Sequence, residues 1–259
     1  MLSVISTNEW VLTAEGDPIR ICKQLTAYFP SASVRDIYHY LQSFGMYGSA
    51  KDGIRLIRKL QENNVWGIVQ HEFEQLQQAW NGPNIPIFIF PSDPGNELLI
   101  RDFNGKSGLA YKDKLFLFIS PQNTEREMKA ILTHEYNHVC RLSKYEKPED
   151  AYVLLDSIIL EGLAEWAVYE RMGEDNNGSW LSLYSNQQLA NMWKELVYPK
   201  KDHLKKTKTH HDVLYGFGKY PKMAGYCVGY YLVKMYVKNK DIHSKDLLDL
   251  PSALIAQLE

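Results

Sequence analysis

The succession of residue patterns along the chain predicts an α+β protein. Three observations carry that prediction. Apolar residues recur at intervals of three and four through the first eighty positions, two-residue alternation broken by Pro and Gly takes over near 83–119, and helical spacing returns from residue 124 onward. We therefore expect an N-terminal helical region over 1–82. A second region over 83–259 should carry a small mixed sheet and a C-terminal helical lobe, the whole forming one compact unit with a cleft between the sheet-bearing half and the last helices.

The elements follow in order. "DPIRICKQLTAYF" offers Asp17 as N-cap and Pro18 at the first helical position. "SVRDIYHYLQSFG" sets Val34, Ile37, Tyr38, Leu41 and Phe44 on one face, with Ser33 as cap and Gly45 as stop. Two further amphipathic patterns run through Ile54, Ile57 and Leu60, and through Val65, Ile68, Val69, Phe73 and Leu76. "NGPNIPIFIFPSDPGN" reads as strand then loop, and "NELLIRDFNGKSGLAYKDKLFLFIS" as two or three more strands with a turn at 111–114. Glycines in the strand near 105–111 point to an edge strand or a close backbone approach.

Pro121 ends the sheet, and Thr124 with Glu127 forms a capping box for a helix running to about Leu142. A polar loop at 143–150 leads to a very apolar helix over about 151–171 that stops near Gly173. Residues 183–197 read as helix, "PKKDHLKKTKTHHD" as a charged, solvated connector, and 221–238 and 244–258 as a final pair of helices.

Composition narrows the function classes. The chain has 259 residues, 45% hydrophobic and 23% charged, and its 17 tyrosines and six tryptophans argue against disorder. A net charge of -2 predicts no general attraction to nucleic acid or to anionic membranes. No apolar window approaches the ~20 residues of a membrane span, and the N-terminal residues lack the basic start of a signal peptide. Cys22, Cys140 and Cys227 are odd in number and widely spaced, which fits a reducing compartment better than a disulfide framework. A cytoplasmic protein is expected.

The chemistry concentrates at "THEYNHV", residues 133–139. Residues four apart share a helix face, so His134 and His138 can converge on one ion, and zinc accepts such imidazole nitrogens at about 2.0–2.1 Å. Glu135 is turned roughly 100° from His134, poorly placed as a ligand and well placed to reach a water beside the metal. This is the division of labour in the H-E-x-x-H motif. Met128, Ile131, Leu132 and Val139 flank the pair, so the helix is substantially buried. A catalytic zinc needs a third protein ligand and an open position. "DSIILEGLAEWAVYE" supplies two candidates, Glu161 and Glu165, four apart in an almost unbroken apolar run where a lone carboxylate would be costly. Cys140 reads as core.

These segments resemble the gluzincin class of zinc metallopeptidases, in which H-E-x-x-H precedes a helix bearing E-x-x-x-E/D; here Glu161 lies 23 positions beyond His138. More closely, "LTHEYNHVCRL" with "LLDSIILEGLAEWAVYE" resembles the YjaZ-type bacterial family of predicted zinc-dependent proteases. The resemblance implies a zincin-like (gluzincin) fold, a Zn2+ cofactor and a peptide or protein substrate. It further implies Glu161 as third zinc ligand, Glu165 as a carboxylate orienting His134, Glu135 as general base, and a Tyr or His from a later helix as donor to the oxyanion. Among Tyr215, Tyr220, Tyr226, Tyr230, His210 and His211 we select Tyr226 in "AGYCVGYY", because Gly225 and Gly229 would let that helix approach another backbone closely. An extended substrate could pair with the strand near 105–111. Two rivals stay open: a non-catalytic zinc-binding regulatory or interaction protein, and a zinc hydrolase of a non-peptide substrate.

Overall fold

The computed structural model describes residues 3–258. The chain divides into two compact units, 1–135 and 136–259, and the boundary falls inside one continuous helix.

The first unit opens with five helices: α1 (Thr7–Thr13), α2 (Pro18–Leu25), α3 (Val34–Ser43), α4 (Ala50–Glu62) and α5 (Val65–Trp80). Their starts are where the cap residues place them. Asp17 accepts hydrogen bonds from the backbone N–H groups of Ile19 and Arg20 at 2.9 and 3.4 Å, and Ser33 closes a reciprocal capping box with Asp36. A three-stranded mixed sheet follows, in the order β1-β3-β2. β1 (Ile87–Pro91) pairs in parallel with β3 (Leu115–Ile119), and β2 (Ser107–Ala110) pairs antiparallel with β3. β1 and β3 are buried at every position, as near-continuous apolar strands should be. Alternation divides the sheet into two faces. Phe88, Phe90, Phe116 and Phe118 form one core with Ile21, Leu25, Ile37, Leu41 and Ile57 from the helices, and the Phe88 and Phe116 rings stack at 4.8 Å. The other face carries Ile87, Ile89, Leu115 and Leu117.

One stretch departs from expectation. "NELLIRDF" is a helix, α6 (Glu97–Phe103), where a strand was expected. Asn96 accepts from the Leu99 N–H at 3.0 Å as N-cap, and Asn104 ends the helix in the left-handed region at φ 52°. β2 is an edge strand, as its glycines foretold.

α7 (Glu125–Lys144) starts at the expected capping box: Glu127 N–H donates to Thr124 Oγ1 at 3.3 Å, and Thr124 N–H donates to Glu127 Oε2 at 2.9 Å. The second unit holds its C-terminal half with α8 (Leu154–Met172), α9 (Asn186–Met192), α10 (Lys208–Tyr215), α11 (Ala224–Val237) and α12 (Ser252–Ile255). α8 and α11 make its densest contact, sharing Ile158, Ile159, Leu163, Val228, Leu232 and Val233 in one core. A Cβ at Gly229 would run into the Ile158 carbonyl, and one at Gly162 would lie 2.8 Å from Tyr230 N and closer still to the Gly229 carbonyl group. A Cβ at Gly225 would lie 2.7 Å from Leu214 Cα on α10. The two glycines of α11 thus bring it against two different helices.

Arg141 is buried at 1% exposure. Its Nη1 donates to the carbonyls of Leu247, Leu248 and Leu250 at 3.3, 3.0 and 2.6 Å, fixing the C-terminal segment. That segment is broken rather than a single helix over 244–258, since Pro251 separates a short 3-10 turn at 244–247 from α12. The charged connector is also partly helical: α10 absorbs its end and buries His210 at 1% exposure, where solvation was expected, while His211 stays exposed. The three cysteines are buried and unpaired by disulfides, and burial pushes each thiol pKa up to about 12. No described helix is long and apolar enough to cross a membrane.

Candidate metal centre

α7 presents His134 and His138 one turn apart, and α8 presents Glu161. One ligand atom from each residue lies within 4.8 Å of the others. His138 Nε2 and Glu161 Oε2 are 3.3 Å apart. The cluster is well shielded: His138 is 7% exposed, and the Glu161 side chain 14%. Two imidazoles and a carboxylate converging at this range are a donor set that zinc accepts, and three protein ligands leave a fourth position open. Among the described residues, no other group of three His, Cys, Asp or Glu side chains is gathered closely enough to hold a metal ion.

Glu135 is 7% exposed. Its side chain lies against the backbone of β2: a Cβ on Gly108 would stand 2.5 Å from Glu135 Oε1 and closer to Cγ and Cδ. Gly108 pairs with Leu117, so this contact is on the Ile/Leu face of the sheet. The close approach expected of a glycine in this strand therefore occurs, and the group that approaches is the motif's glutamate.

Glu165, four residues beyond Glu161 on α8, is 3% exposed. Its Oε2 accepts from Asn177 Nδ2 at 2.8 Å and from Gly178 N–H at 3.2 Å, and Asn177 Nδ2 also reaches the Glu165 carbonyl at 2.7 Å. Asn177 and Gly178 had no signal in the sequence beyond a polar loop. Glu170, further along α8, accepts from His243 Nδ1 at 3.0 Å and from the Ser244 hydroxyl at 2.5 Å. Tyr226 on α11 is half-buried in an aromatic group, with its ring 6.1 Å from Trp180 edge-on and 5.8 Å from Tyr215. The structure thus gathers His134, His138 and Glu161, with Glu135 on the same helix as the two histidines.

Residues 65–257 match a family model described as predicted Zn-dependent protease (DUF2268). Over 254 residues the chain is 37% identical to the uncharacterized protein YjaZ of Bacillus subtilis (strain 168), covering 97% of each chain. The uncharacterized protein YjfC of the same organism is 22% identical over 147 residues, 54% of this chain and 49% of that protein. No solved structure matches the chain.

Proposed function

Since the chain belongs to the family of predicted Zn-dependent proteases, we propose that it is a zinc metallopeptidase of gluzincin type in which His134, His138 and Glu161 hold the metal and Glu135 is the general base. The observation that carries this reading is the convergence of those three donors within 4.8 Å, with the motif's glutamate next to His134 on α7.

Bound zinc would supply Lewis acidity, polarising the scissile carbonyl and bringing the pKa of a water toward about 7. The chain's own residues do the rest. Glu135 accepts the proton of the attacking water on a carboxylate oxygen and returns it to the departing amine nitrogen. Glu165 orients His134 through the imidazole nitrogen not facing the metal, and is itself braced by Asn177 and Gly178. The Tyr226 hydroxyl donates to the oxyanion; removing one such donor costs roughly 3–4 kcal/mol in other enzymes. An extended peptide pairing with the outer edge of β2 would run past Gly108, which Glu135 touches.

The test is Glu135→Gln in a peptide-library digest, with zinc content measured on both proteins. Equal zinc with cleavage lost supports the mechanism. Unchanged cleavage removes Glu135 from its role, and a wild-type protein that binds zinc but hydrolyses no peptide leaves the non-catalytic or non-peptide alternatives.

A further inference from the structure

We infer that Gly108 is a positioning residue for the general base: the space its absent Cβ leaves is where the Glu135 side chain lies. The inference rests on the peptidase reading above and extends it to a residue of the sheet. The three atoms nearest a Cβ built at 108 are Cγ, Cδ and Oε1 of Glu135, all of one side chain. The closest clashes thus fall on the arm that carries the reactive oxygens, and no backbone atom is among those three. At 7% exposure the arm is confined by its surroundings, so its position depends on the strand beside it. Ala110, next on the same face of β2, already bears a methyl. The opening is local to one residue.

Any other side chain at 108 therefore pushes the carboxylate off its place. Cγ is the nearest of the three, so relief requires rotation about the Cα–Cβ bond, which swings the whole carboxyl arm; a displacement of about 1 Å in a reacting group can cost on the order of 100-fold in rate. None of the three nearest atoms belongs to His134, His138 or Glu161, so the clash reaches the metal donors only through Glu135.

The experiment is Gly108→Ala, alone and combined with Glu135→Ala. We expect full zinc content, a melting temperature lowered by no more than a few degrees, and kcat lowered about 100-fold with KM little changed. In the Glu135→Ala background no atom beyond Cβ remains to meet the new methyl, so adding Gly108→Ala should cost almost nothing further in residual rate. Equal losses in both backgrounds, an undiminished kcat, or loss of zinc from Gly108→Ala would each overturn the inference. Crystal structures of the wild type and of Gly108→Ala give a readout independent of turnover: a carboxylate swung away from the strand with the zinc donors superposed supports it, and a carboxylate left in place overturns it. If the wild type cleaves no peptide, the peptidase reading fails while these structures still decide whether Gly108 sets the position of Glu135.

Discussion

Gly229→Ala probes the contact that holds the third metal donor in register. A methyl at 229 would lie 2.8 Å from the Ile158 carbonyl carbon, 3.3 Å from Gly162 N, and nearer still to the Ile158 oxygen. All three are main-chain atoms of α8, so relief requires the helices to separate, which strains the core formed by Ile158, Leu163, Val228 and Leu232. Overpacking costs about 1–3 kcal/mol, and a backbone-to-backbone clash belongs at the upper end. At roughly 2–4 °C per kcal/mol for a chain of this size, 3 kcal/mol lowers Tm by roughly 6–12 °C. Glu161 adjoins Gly162, so the same movement shifts its carboxylate relative to His138, now 3.3 Å distant, and should weaken zinc binding. Calorimetry with and without zinc should show a lower Tm and a smaller zinc-induced rise. A Tm within about 2 °C of wild type, with the zinc effect intact, would refute the close-contact account.

Zinc at 100 times its Kd should stabilise the wild type by about 2.7 kcal/mol, seen as a rise in Tm that chelator reverses and that Glu161→Ala largely removes. Arg141→Ala deletes the shared donor of three carbonyls and should cost about 3 kcal/mol or more, since each bond to a charged group is worth about 1.5–3 kcal/mol. Amide exchange should quicken selectively across 247–255. Burial holds the His210 pKa below its ordinary 6.5, so the unfolded chain takes up this proton first as pH falls. The stability tied to neutral His210 is therefore complete above 6.5 and declines as pH drops from there toward the folded-state value. His210→Gln should make the acid limb of a Tm–pH curve shallower; an unaltered limb would show that this imidazole is not held neutral.

The motif helix and its partner were legible because several signals agreed there: a capping box at Thr124, a buried apolar stripe, and ligand types at a spacing only a helix brings together. The sheet was legible from apolar runs too short for helices. α6 was misread because Leu98, Ile100 and Phe103 all remain exposed, at 63, 48 and 38%, so no buried stripe marked its period. Its caps, Asn96 and Asn104, were the usable signal. His210 was misread because lysines around it imply solvent, while its helix, α10, turns it inward, with the His203 carbonyl 3.2 Å from its Nδ1. The contact between Gly108 and Glu135 joins residues 27 apart, and only the strand's glycine hinted at it.

The three sealed thiols turn the chain into its own reporter. With Cys22 in the first unit and Cys140 and Cys227 in the second, none ionised near neutrality, an alkylating reagent can mark each sulfur only when the structure around it opens. Mass spectrometry after timed labelling would then rank the opening of the two halves, and adding zinc would show which sulfur the metal protects most.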